Sequence, residues 1–110
     1  MSAKYWQRGE TIDCTPTDDL ANGDVVDLAT RIGVAGNDIP AGETGAVHVV
    51  GVFEIPKATG AVTVGQALYW DKTAENITTA AGSSPANTPA GWAVAAAGSS
   101  DATVLVKLLG

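Results

Sequence analysis

Glycine, proline, asparagine and aspartate interrupt this chain about every eight to twelve residues, and no segment sustains the i, i+3, i+4, i+7 apolar spacing of an amphipathic helix. Punctuation at that interval leaves room only for short strands. The fold class expected is therefore all-β, a small single-domain antiparallel β-barrel or sandwich with an extended N-terminal arm. At 110 residues the chain has the length of one domain, and a chain of that size removes roughly two-thirds of its unfolded surface from water. The expected organisation is one domain over 1–110, with residues 1–9 as the arm and 80–91 as a flexible loop.

Alternation places the strands. Glu10 to Thr15 alternates around Ile12 and Cys14. After the turn pair Asn22-Gly23, Val25 to Val34 sets Val26, Leu28, Ile32 and Val34 on one face and Asp27 and Arg31 on the other, the one-wet-face pattern of antiparallel sheets. Gly36 to Gly45 reads as a loop. Ala46 to Ile55 is nearly continuous apolar sequence, predicts the most buried strand, and ends at Pro56, which cannot donate to a ladder. Leu68 to Asp71 and Asn76 to Thr79 read as hairpin arms across Lys72 to Glu75. Ala80 to Gly91 is low in complexity and reads as a loop. Trp92 to Ala97 and Thr103 to Leu109 should close the sheet, joined through Gly98 to Asp101.

Of the residues, 45% are hydrophobic, yet most of these are Ala and Val and only 5% of the chain is aromatic. Small side chains bury little area each, so the core should be thin and gain from association with other copies. Twelve acidic residues against six basic ones leave a net charge of −6, which argues against a nucleic-acid partner, because phosphate-backbone affinity comes from clustered cations. The N-terminus lacks a signal-peptide apolar stretch, and no run approaches the ~20 apolar residues of a membrane span. The expectation is a soluble protein made in the cytoplasm, with no membrane partner.

Candidate chemistry fails residue by residue. Gly60 and Gly65 have P-loop spacing, but Gln66 and Ala67 stand where the Lys and the Ser or Thr belong, so these glycines should shape the approach to a Tyr69-Trp70 strand. One Cys and one His cannot form a zinc set. Asp18 to Gly23 begins like a calcium loop, with Leu20 at a ligand position and Ala29 where the bidentate Glu belongs; these acids read as turn formers. Neither Gly82-Ser83-Ser84 nor Gly98-Ser99-Ser100 completes a G-x-S-x-G elbow. Asn76-Ile77-Thr78 fits the glycosylation pattern, which has no use without export. His48 reads as a strand histidine and Cys14 as a small buried residue. No cofactor, metal or catalytic set is expected, and hence no enzyme. Trp70 or Trp92 could serve a carbohydrate-binding surface as an alternative function. Tyr5 and Trp6 stand apart: two aromatics in a polar segment before the first strand, where an arm could dock them on another chain.

Tyr5-Trp6-Gln7-Arg8-Gly9-Glu10-Thr11-Ile12, Gly51-Val-Phe-Glu-Ile-Pro-Lys-Ala-Thr-Gly60, Gly65-Gln-Ala-Leu-Tyr-Trp-Asp71 and Val104-Leu-Val-Lys-Leu-Leu-Gly110, in that order, resemble tailed-phage capsid cement or head decoration proteins, a branch once a domain of unknown function and sometimes labelled recombinase-like. The missing Walker residues and the acidic charge speak against the recombinase label. The resemblance implies a structural virion protein on the outer surface of the expanded capsid, commonly a homotrimer, that stabilises the shell by bridging major capsid protein subunits. It implies partner contacts, to the capsid or a neighbouring protomer, from Tyr5, Trp6, Gln7 and Arg8, with Glu54 to Thr59 as a turn near an interface and Lys57 as its ionic contact.

Overall fold

The computed structural model describes residues 2–82 and 86–109. Among them are nine strands and no helix: β1 Thr11–Cys14, β2 Val25–Asp27, β3 Ile32–Ala35, β4 Gly45–His48, β5 Val52–Pro56, β6 Ala67–Asp71, β7 Asn76–Thr78, β8 Thr88–Ala93 and β9 Thr103–Leu108. They form two sheets, one of four strands in the order β1-β4-β3-β2 and one of five in the order β5-β9-β8-β6-β7, with every strand pair antiparallel. The sheets do not close into a barrel, so the sandwich is the form the chain takes.

The main core lies between the sheets. Val25, Ile32 and Val34 from the four-stranded sheet meet Ile55, Leu68, Trp70, Ile77, Val104, Val106 and Leu108 from the five-stranded one. A second, smaller core of Ile39, Val47 and Val49 forms on the other side of the four-stranded sheet, with Ile12, Cys14, Leu20, Val26 and Leu28 packed on it. Carboxylates tie down the loops that cover it. Asp19 accepts the amide of Ala41, Asp38 that of Asn22 and Asp24 that of Ala21, each at 2.8 Å.

Three expectations are corrected. Val25 to Val34 is not one strand but a β2–β3 hairpin in register Val25↔Val34 and Asp27↔Ile32. No glycine or proline marks its turn. Asp27 Oδ1 instead accepts the Ala29 amide at 2.8 Å, and Ala29 takes a left-handed φ of 73°, the local carboxylate-to-backbone bond by which Asp makes turns. The supposed single apolar face therefore divides, with Val26 and Leu28 in the small core and Ile32 and Val34 in the main one. Likewise Ala46 to Ile55 is not the most buried strand. It breaks at Gly51, φ 131°, where the chain leaves one sheet for the other, and Val50 and Val52 are exposed. The strand buried at all four positions is β3.

The last strand pair is displaced. β8 starts at Thr88, inside the stretch read as a loop, and pairs with β9 through Gly91↔Leu108, Trp92↔Lys107 and Ala93↔Val106. The turn at Gly98 to Asp101 forms, with the Gly98 amide donating to Asp101 Oδ2 at 2.7 Å, but it lies at the end of a longer connection. Of the expected loop 80–91, residues 83–85, which include Ser83 and Ser84, lie outside the described residues. Its flanks are clamped together where Asn87 donates to Ala80 O at 2.9 Å and to Ala81 O at 2.7 Å. The hairpin of β6 and β7 and the shaping role of Gly65, φ 85° in the turn before β6, are as expected.

Gly91 sits opposite the register shift between Leu68 and Tyr69, at φ 151°, and a Cβ there would collide with the Lys107 carbonyl. Gly91→Ala should lower unfolding free energy by about 2–3 kcal/mol in urea titrations. Trp70→Ala, which empties the main core, should cost about 3–5 kcal/mol in the same assay.

Candidate docking surfaces

Alternation along β5, β8 and β9 sends every second side chain away from the core. Val52, Lys107, Trp92 and Ala67 are successive neighbours across four strands, and Glu54 stands beside Leu105 in the adjoining row. Such lateral neighbours are within contact range on a sheet face. The result is an apolar stripe in water. Trp92 is 41% exposed, Val52 50%, Leu105 39% and Leu109 49%. Lys107 and Glu54 supply one charge of each sign, and Thr103 fixes the carboxylate by donating to Glu54 Oε2 at 3.2 Å. Grouped exposed apolar side chains of this kind mark interaction surfaces, whereas scattered ones do not.

The arm is the second surface. Residues 2–8 are exposed and form no strand, and they lead into β1 at one edge of the four-stranded sheet. Tyr5 is 79% exposed and Trp6 84%. Arg8 pairs with Glu10 at 2.9 Å between two exposed side chains, a contact that holds little in water. Tyr5, Trp6, Gln7 and Arg8 are thus presented together on one short segment.

Lys57 departs from the expected exposed ionic contact. It is 8% exposed, and its ammonium donates to the carbonyls of Ala58 at 2.9 Å and Ser99 at 3.5 Å. No hydrogen bond or ion pair joins it to the arm among the described residues. Glu54 to Thr59 is also not one turn, since residues through Pro56 belong to β5 and only the segment from Lys57 onward bends away. Lys57 holds that bend against the Gly98 to Asp101 turn. Trp70, 8% exposed, is a core residue and not a stacking surface.

His48 lies beside Phe53, ring centroids 5.9 Å apart. Among the described residues no three His, Cys, Asp or Glu side chains group as a metal site. Cys14 is a half-buried free thiol packed on the smaller core. Val52 and Leu105 escaped sequence reading because both lie in apolar runs whose exposed side only the strand register reveals. Trp92 was visible, but as an isolated aromatic.

A sequence profile of the phage cement protein family matches residues 6–108. No curated protein and no solved structure matches the chain. Coverage from Trp6 to Leu108 takes in all nine strands and the end of the arm, and the chain belongs to the phage cement protein family, a structural and non-enzymatic kind. If Lys57 serves the fold, Lys57→Ala should destabilise the protein by about 1–2 kcal/mol in urea titrations. Lys72→Ala, on an exposed hairpin turn, should change it by less than about 0.5 kcal/mol.

Proposed function

We propose that this phage cement protein, a capsid-associated structural component, binds the outer surface of the expanded head and stabilises it by bridging neighbouring major capsid protein subunits. The observation that carries the reading is the pair Tyr5 and Trp6, 79% and 84% exposed on a basic arm, in a chain whose profile match begins at Trp6. Aromatic anchors beside an arginine are the side chains that dominate interface energetics. Tyr5, Trp6, Gln7 and Arg8 form the grip on the capsid or on a neighbouring protomer. Lys57 enters as the residue that holds the bend after β5, and the stripe of Val52, Trp92 and Leu105 supplies a flat second contact. A homotrimer would present three arms at once.

The mechanism is linkage, with no chemical step. A ligand that binds one state of a shell and not the other stabilises the bound state by mass action, and many copies multiply the effect. The bridged site exists once subunits have moved to their expanded positions. Purified protein, sedimented with undecorated heads of both forms, should bind expanded heads saturably and leave unexpanded heads bare. Trp6→Ala should weaken binding by at least about tenfold, as for an anchor residue. Equal binding to both forms would contradict the reading.

A further inference from the structure

A cleft of about 450 Å³ opens between the β2 edge of the four-stranded sheet and the β6–β7 hairpin of the other. Its lining includes Leu20, Val25, Pro56 and Trp70 and the acidic residues Asp24, Asp27 and Glu75. We propose that this cleft seats the basic aromatic arm, Lys4 to Arg8, of a second copy of the chain. The inference rests on the reading of the arm as a partner-binding segment, and it does not depend on the capsid.

Charge and chemistry match on the two sides. Lys4 and Arg8 lie in the first nine residues, which contain no acid, so all twelve acidic residues belong to the body that would receive the arm. The cleft offers three acids against the one cation Lys72. Its apolar lining residues Leu20, Val25 and Pro56 complement Tyr5 and Trp6, which are exposed in the single chain. Asp27 is fixed, both oxygens accepting from Thr88 Oγ1 at 3.0 Å and Oδ1 also from the Ala29 amide at 2.8 Å. Among the described residues neither Glu75 nor Lys72 forms an ion pair.

Glu75 belongs to the turn between β6 and β7. It holds a left-handed φ of 58° at the end of the hairpin turn, a conformation glycine or asparagine adopts with less strain. Its amide donates to Asp71 O at 2.7 Å, while Asp71 Oδ1 accepts the amides of Thr73 and Ala74, so the turn is locked around it. The Glu75 carboxylate is thereby carried into the cleft lining on an ordered hairpin turn. The chain's own arm leaves from β1, at the edge of the four-stranded sheet opposite β2. Seating it in the same molecule would require folding back across the whole sheet, whereas a neighbour's arm arrives from outside.

The test is self-association of the purified full chain, without capsid, by sedimentation velocity across a concentration series. The parent should associate, and Trp6→Ala or Glu75→Lys should each weaken association by at least about tenfold. Arg8→Glu combined with Glu75→Lys should recover much of the loss. Glu75→Gly separates fold from docking: it should melt no lower than the parent and still associate more weakly. In a Cys14→Ser background, mixing Gln7→Cys chains with Lys72→Cys chains should give a disulfide-linked heterodimer under oxidation. A monomeric parent, variants that associate like the parent, or a Gln7→Cys/Lys72→Cys double variant that links only within itself would overturn the proposal. Capsid binding, measured separately, would stand in any of those cases.

Discussion

The antiparallel register of β5, β9 and β8 governs both the interior and the exterior of this molecule. A strand's side chains alternate strictly, so the pairing that points Val104, Val106 and Leu108 into the core also points Leu105 and Lys107 outward beside Val52, Glu54 and Trp92. A slip of one residue would exchange the two sets. Gly91 enforces the register, because the close approach of its backbone to Lys107 admits no side chain. The core and the apolar outer stripe are two consequences of one hydrogen-bonding pattern.

Asp19, Asp24 and Asp38 are engaged by backbone amides in the loops, and Lys57 by backbone carbonyls. Exposed apolar and aromatic side chains are grouped in the stripe and in the arm that begins at the far edge of the other sheet. An exposed sheet face and an exposed arm are the two surfaces the fold presents. That division agrees with the chain's membership of the phage cement protein family.

Short strands, the β6–β7 hairpin and the detached aromatics of the arm were legible because each rests on local signals: turn residues, alternation, and Tyr and Trp in polar surroundings. The β2–β3 turn was not, since it depends on an Asp27 carboxylate folding back on the Ala29 amide and contains no glycine or proline. The break at Gly51 was hidden in an apolar run, where one glycine among valines reads as a strand residue until its φ of 131° is seen. Lys57 misled for a related reason. Burial of a lysine is uncommon, and the carbonyls of Ala58 and Ser99 that receive its ammonium are brought together only by tertiary structure. The cleft under Glu75 joins segments far apart in sequence and leaves no local trace.

The most direct test of a structural role on the outside of the head is an electron cryomicroscopy reconstruction of expanded heads carrying this protein. Density of the sandwich is expected on the outer surface over junctions between capsid subunits, with Tyr5 to Arg8 or the Val52–Trp92–Leu105 stripe at the contacts. Density on the inner surface, or an outer copy held only through the acidic loops around Asp18 to Gly42 with arm and stripe both in solvent, would contradict that role.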